Sequence, residues 1–325
     1  MYKIVLFYKY TNIENPEKEM FEQRDLCLKL GLKGRGIVAR EGINATYEGT
    51  DENIEKYIAH MKKDPRFSDI HWKISEGTGL AFPKLSVKVR SEIVSLHLGD
   101  KDINPNDVTG KYLTPEELHE WIWGRHECSD EFHRSYSHPS PLSKREGMPK
   151  KEKQREFYII DMRNDYETKS GYFENSIFPQ LSNFRDINQA VPMLDNLRDK
   201  TIVTVCTGGV RCEKASGFLV TQGFSDVYQL KCGIVSYMEK YPNQDFVGKL
   251  YVFDNRITMG FNIDSSEHKV VGKCEGCGKT TDQYVNCDNN FCHRHFIECA
   301  ECIIKFEGKC PMGCRVMHTR RSRIT

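Results

Sequence analysis

Several things are missing from this 325-residue sequence, and each absence excludes something. No apolar run approaches the roughly 18 residues of a membrane-spanning helix. The apolar stretch Ile4–Tyr8 is too short for a signal-peptide core, and no cleavage-like segment follows it. Both absences predict a cytoplasmic protein with no membrane partner. Net charge is nearly absent as well. Forty-seven basic side chains against 46 acidic ones leave a formal +1, so nucleic-acid binding would have to use local patches. No G-x-G-x-x-G string follows an expected strand, so neither flavin nor a nicotinamide cofactor is predicted. No internal repeat is evident. Apolar residues, at 38% of the chain, suffice for real cores, and the length suggests two or three domains.

What the chain has in excess is cysteine. Thirteen are present, and eight of them (Cys274, Cys277, Cys287, Cys292, Cys299, Cys302, Cys310, Cys314) fall in the last 52 residues. A reducing compartment disfavours a disulfide mesh, so such clustering points to metal. The eight form four short-loop pairs, each able to place two thiolates on one tetrahedral ion, so about two structural zinc ions are expected. The pairing is open between sequential and cross-braced, with His293 and His295 as substitute ligands. The paired spacing favours zinc over an iron–sulfur cluster. The stretch has too few apolar residues to fold alone, so the metal would supply folding energy. Beyond it, Arg315, Arg320, Arg321 and Arg323 form a basic tail able to contact phosphate or to remain solvated.

The pattern of elements predicts a multi-domain chain of α/β and α+β classes. Residues 1–98 read as a ferredoxin-like βαββαβ sandwich. Its expected parts are a strand at Ile4–Tyr8, a helix from Pro16 toward Gly31, and two strands, Gly36–Arg40 and Ile43–Tyr47, around the turn Glu41-Gly42. A helix capped by Asp51 follows, with an Ile54, Tyr57, Ile58, Met61 stripe, and Val87–Val89 with Ile93–Val94 closes the sheet. Residues 99–123 read as a connector, and 124–156 as a flexible insertion rich in proline, serine and charge. Its His126, Cys128, His133 and His138 are better explained as solvated than as ligands. Residues 157–246 alternate strands (Phe157–Asp161, Thr201–Val205, Val227–Leu230) with helices, one of them presenting Ala215, Phe218 and Leu219, which implies a parallel doubly wound sheet. The cysteine-rich segment spans 247–314 and the tail 315–325.

The stretch Cys206-Thr207-Gly208-Gly209-Val210-Arg211 joins a buried strand to a helix, where open α/β sheets place their sites. The glycines let successive amides turn inward. With the helix terminus and Arg211, those amides favour an anion at the Cys206 sulfur and a depressed thiol pKa. A merely small, buried cysteine would not need two glycines and an arginine after it. Cysteine phosphatases place five residues between the cysteine and the arginine, whereas four stand here. The tighter ring suits sulfur or a small oxyanion and favours rhodanese-type chemistry.

Asp161–Glu167, the Cys206 loop and Gly223–Leu230 together resemble a rhodanese domain. The fuller string Cys206–Ser216, with Arg40–Asn44, Lys111–Glu117 and Val252–Arg256, is similar to the rhodanese-like bacterial tRNA uridine hydroxylases over most of the chain outside 124–156. The resemblance implies oxygen-dependent 5-hydroxylation of the wobble uridine, with tRNA as partner and molecular oxygen as co-substrate. It makes Cys206 the essential, persulfide-competent thiol, and Thr207, Gly208, Gly209, Val210 and Arg211 its cradle. Three positions depart from the family pattern: Tyr172 after Gly171, Ala45 after Asn44, and Cys232-Gly233 in place of a glycine pair. Cys212 and Cys232 become candidate resolving thiols, although Cys232 is better explained as a tolerated small side chain. Lys33, Arg35, Arg40 and Asn44 are candidate RNA contacts. The alternative to hydroxylation is a sulfurtransferase carrying sulfane sulfur on Cys206. Oligomeric state is not legible.

Overall fold

A computed structural model describes residues 1–99, 102–126, 156–289, 291–292, 294–311 and 314. Cys128, His133, His138, His293, Arg315, Arg320, Arg321 and Arg323 lie outside the described residues, as does the side chain of His126.

The amino-terminal unit comprises β1 (Tyr2–Tyr10), α1 (Pro16–Lys29), β2 (Lys33–Ala39), β3 (Gly42–Thr50), α2 (Asp51–Met61), β4 (Lys73–Gly77) and β5 (Leu85–Val89). The strands order as β4-β1-β3-β2-β5, with β5 parallel to β2 and the other neighbours antiparallel. Proline opens α1 within its first turn, where its missing N–H costs no hydrogen bond. Helix α2 buries Ile54, Tyr57 and Met61 on a core containing Val5, Phe7 and Tyr47. Its cap is Thr50 rather than Asp51, because the Thr50 hydroxyl accepts from the Asn53 amide at 3.3 Å. The βαββαβ order holds, but β4 is the strand that closes it. It takes the free edge of β1, while Leu85–Val89 extends the opposite edge beside β2. Ile93 leaves the sheet, and its amide donates to the Glu41 carboxylate at 2.6 Å.

The second unit runs through β6 (Lys111–Leu113), α3 (Pro115–His126), β7 (Phe157–Asp161), α4 (Asp165–Thr168), β8 (Gly171–Phe173), α5 (Ile187–Ala190), β9 (Thr201–Val205), α6 (Val210–Thr221), β10 (Asp226–Leu230), α7 (Gly233–Lys240) and β11 (Phe246–Gly248). Four parallel strands order as β6-β10-β9-β7. The segment 99–123 is therefore more than a connector: its β6 is the edge strand of this sheet, and α3 runs past residue 124. Strand β9 is covered on both faces. Ile202 packs in one cluster with Ala215, Phe218 and Leu219, and Val203 and Val205 pack in another with Leu230 and Tyr237.

The remaining elements are β12 (Leu250–Tyr251), β13 (Thr258–Met259), β14 (Tyr284–Asn286), β15 (His295–Ile297) and α8 (Ala300–Phe306). Two devices fasten the amino-terminal unit to the rest. Lys214 on α6, fully buried, bonds the carboxylates of Glu41, Glu92 and Asp102 at 2.8–2.9 Å. From the other side, Arg256, paired to Asp254, reaches Ser75 Oγ at 2.9 Å, and the Asn255 amide donates to Ala81 O. No helix among the described residues is long and apolar enough to cross a membrane.

Candidate active site

Cys206 stands at the carboxyl end of β9, fully buried, under a loop that curls over it. Gly209, at φ +99°, turns its amide onto the Cys206 sulfur at 3.2 Å and passes the chain into α6. The start of α7 pins the loop from below. The amides of Ile234 and Val235 donate to the carbonyls of Cys206 and Thr207 at 2.9 and 3.1 Å. This contact explains the retained glycine of the Cys232-Gly233 pair, since a Cβ on Gly233 would lie 2.5 Å from the Gly209 nitrogen. Cys232 itself sits at φ +64°, a left-handed conformation that a side chain adopts at a cost.

Burial alone would push the Cys206 thiol up. The Cys212 thiol, the Arg211 guanidinium and the amides of Cys212 and Gly209 together outweigh it and bring the group down to about 6. Cys212 moves the opposite way, held up by burial and by its bond to the Cys206 sulfur, so it stays protonated and donates. Arg211 is fixed by Glu167 on α4 through bonds of 2.6 and 2.8 Å, and touches Thr207 Oγ1 at 3.3 Å. Glu167 is fully buried; its role as Arg211's counter-ion has no signal in sequence beyond lying in the acidic string before the loop.

The amino-terminal sheet forms the roof. A Cβ on Gly208 would meet Leu6 at 3.1 Å, Tyr8 donates to Glu213 on α6 at 2.9 Å, and Tyr10 donates to the Val210 carbonyl at 3.1 Å. Between the two units lies a cavity of about 400 Å³, floored by Thr207, Gly208, Val210 and Arg211 and walled by Asn44, Lys73, Phe82 and Phe253. An open groove of about 840 Å³ adjoins it, sharing Arg35, Val252, Phe253 and Asp254 and carrying Tyr166, Tyr251 and His295. Phe253, 47% exposed, stands where the two meet, with the Arg211 guanidinium 5.9 Å from its ring centre. Of the four candidate RNA contacts, Arg35 and Asn44 border the cavity. Lys33 and Arg40 are exposed but line neither space. Of the candidate resolving thiols, Cys212 lies close enough to lower the Cys206 thiol, whereas Cys232 borders a separate cavity of about 230 Å³ with Tyr8, Lys73 and Tyr112.

The eight tail cysteines sort into two sets, Cys274–Cys277–Cys299–Cys302 and Cys287–Cys292–Cys310–Cys314, with all sulfurs of a set within 4.8 Å of one another. The pairing is thus cross-braced. Sulfur separations run from 3.2 Å (Cys310–Cys314) and 3.4 Å (Cys287–Cys314) to 3.7 Å (Cys277–Cys299) and 3.8 Å (Cys292–Cys310), the longer two at the tetrahedral edge of about 3.8 Å that a metal–sulfur distance near 2.3 Å requires. Either set can therefore hold a metal ion. His295 is not a ligand. Its Nδ1 bonds Asn286 Oδ1 at 2.8 Å, and its ring stacks on Tyr284, whose hydroxyl donates to the Tyr166 carbonyl. Through that bond the cysteine-rich unit braces α4 and Glu167.

Comparison with known proteins follows the same divisions. Residues 2–93 match the UPF0176 acylphosphatase-like domain, 145–240 the rhodanese-like domain, and 247–315 the rhodanase C-terminal family. A tRNA uridine(34) hydroxylase of Bacillus cytotoxicus is 41% identical, covering 99% of this chain and 90% of its own. Another, from Cytophaga hutchinsonii, is 37% identical with coverage of 98% and 92%.

Proposed function

Because this chain belongs to the tRNA uridine(34) hydroxylases, we propose that it hydroxylates C5 of the wobble uridine of tRNA, using the Cys206 thiolate and molecular oxygen. The observation that carries this reading is the cavity between the amino-terminal sheet and the Cys206 loop. Its volume lies in the range of small-ligand sites, and a single base taken out of a loop is such a ligand. Phe253 offers a stacking face at its mouth, and Asn44 and Arg35 offer polar contacts to the base and backbone. The aromatic groove beyond, with Arg35 and Arg294 on its rim, suits the neighbouring nucleotides of a single-stranded loop. The loop amides and Arg211 equip Cys206 to act as an anion or to carry a persulfide. Sulfur transfer to a small acceptor would need neither the roof nor the groove, and the relatives' name favours hydroxylation. Each cysteine set holds one zinc ion in a structural role, and the enzyme works where its tRNA is, in the cytoplasm.

The test is nucleoside mass spectrometry of tRNA from a deletion strain. Return of the wild-type gene should restore 5-hydroxyuridine, and Cys206→Ser should not, since a hydroxyl of similar size ionises far less readily. Hydroxyuridine made by the Cys206→Ser strain would remove this thiol from the chemistry.

A further inference from the structure

Lys73 inverts the usual order of a strand. It begins β4 opposite Leu6 of β1 and is 7% exposed, whereas Ile74 beside it is 45% exposed. Burying an ammonium is costly unless something compensates it. Among the described residues no carboxylate lies within ion-pair distance of Lys73, and its charge contact is the Tyr8 ring, centred 4.9 Å from Nζ. Cys232, Cys206 and Glu213 are near enough to act on it electrostatically, but none pairs with it, and Glu213 is already taken by the hydroxyls of Tyr8 and Tyr112. Four cations border the cavity over the Cys206 loop. Arg211 is neutralised by Glu167, Arg256 by Asp254, and Arg35 is exposed toward the open groove. Lys73 is therefore the cation with no carboxylate partner on the cavity wall, where it also borders the smaller cavity beside Cys232, and it comes from the opposite unit to the nucleophile.

We propose that Lys73 is a catalytic residue that donates a hydrogen bond to the 4-oxygen of the target uracil and carries the negative charge gathering there when the Cys206 thiolate adds to C6. The proposal rests on the cavity being the uridine site. In this step a C–S bond forms at C6, and the C5=C6 π pair moves through C4 to rest on the 4-oxygen as an enolate. No electrons are gained or lost. Reversal follows proton uptake from solvent at C5 and loss of the original C5 proton. The step makes C5 electron-rich, which is the property an oxygenation there requires. Two environments suit it. The thiol brought down to about 6 is ionised at neutral pH. Burial holds Lys73 below the ordinary lysine range, making its ammonium a stronger donor than a surface one. A fixed donor placed where charge develops is worth more in an enclosed site than in water.

Because the step needs no oxidant, it can be read without oxygen. Unmodified tRNA tritiated at C5 of uridine 34 should lose its label to water with the wild-type chain and keep it with Cys206→Ser. Lys73→Met should exchange on the order of 100-fold more slowly, the usual effect of removing one such donor. Its affinity for tRNA should be unchanged and its Tm equal or higher, because an apolar side chain of similar length replaces a buried charge. Methylammonium should restore exchange to Lys73→Ala, and sodium at the same ionic strength should not. Exchange by Lys73→Met at the wild-type rate, or slow exchange accompanied by loss of Tm and tRNA affinity, would overturn the proposal. So would a wild-type chain that restores 5-hydroxyuridine in cells yet never exchanges C5. Absence of 5-hydroxyuridine from cells carrying the wild-type gene would instead sink the hydroxylase reading on which it rests.

Discussion

At the scale of single residues, the Cys206 thiol is set by a contest that burial loses. Its folded value, about 6, lies below the ordinary thiol value of 9.0, so the ionised form predominates above about 6 and is lost as the pH falls through that point. Alkylation of Cys206 by iodoacetamide, followed by peptide mass spectrometry from pH 5 to 9, should show that midpoint. Cys212→Ala removes the S–H donor and should move the midpoint upward; an unmoved midpoint would mean that Arg211 and the amides suffice. The two residues of the α7 start predict opposite changes. Cys232→Gly relieves a left-handed side chain and should stabilise the protein by about 1 kcal/mol. Gly233→Ala drives a Cβ to 2.5 Å from the Gly209 nitrogen and should cost about 1–3 kcal/mol in urea unfolding, with slower alkylation of Cys206 as the loop shifts.

At the scale of elements, what the sequence makes legible is whatever is decided locally. A strand, two glycines, an arginine and a helix within a dozen residues announce the Cys206 loop, and the Ile54–Tyr57–Met61 stripe announces the buried face of α2. Choices made at a distance stay hidden. Leu85–Val89 reads as a better strand than Lys73–Gly77, yet the latter closes the sheet because it takes the free edge of β1. Lys73 itself looks like the solvent-facing member of that strand, and only the docked second unit turns it inward. Cysteine spacing reveals pairs but not their partners, since cross-bracing is decided by how β14, β15 and α8 fold past one another. That arrangement predicts about two zinc ions per chain by elemental analysis. Removing them with a chelator should also loosen α4, because Tyr284 holds Tyr166 beside Glu167. Hydrogen exchange of residues 165–168 that is unchanged in the chelated protein would separate the two.

At the scale of the molecule, two of the strings that carried the family resemblance, Arg40–Asn44 and Val252–Arg256, prove to hold fasteners between units. Glu41 follows Arg40 in one string and Lys214 lies in another, and they meet in the buried cluster that joins β2 and β3 to α6. Asp254, Asn255 and Arg256 grip the same sheet from its other edge. Lys214→Met should therefore cost about 3–5 kcal/mol, since three carboxylates would lose their shared cation. Limited proteolysis should then cut first in the 90–110 region. A variant as stable and as resistant as the wild type would show that the cluster is dispensable.

The same cluster has a consequence in time. Glu41 and Lys214 are separated by 173 positions in the chain (214 − 41). At roughly 5–20 residues per second, the ribosome delivers the lysine about 9–35 s after the glutamate. Until then Glu41, joined in turn by Glu92 and Asp102, lacks the cation that the three carboxylates share in the folded chain. The nascent amino-terminal unit can thus fold its own core long before it can make a pocket. The pocket needs α6, which begins four residues after the reactive cysteine, and it is complete only once Phe253 and Arg256 have followed. The reactive thiol is thereby made before its cover is complete, and it stays open to the cell's oxidants until the stretch carrying Phe253 and Arg256 has docked.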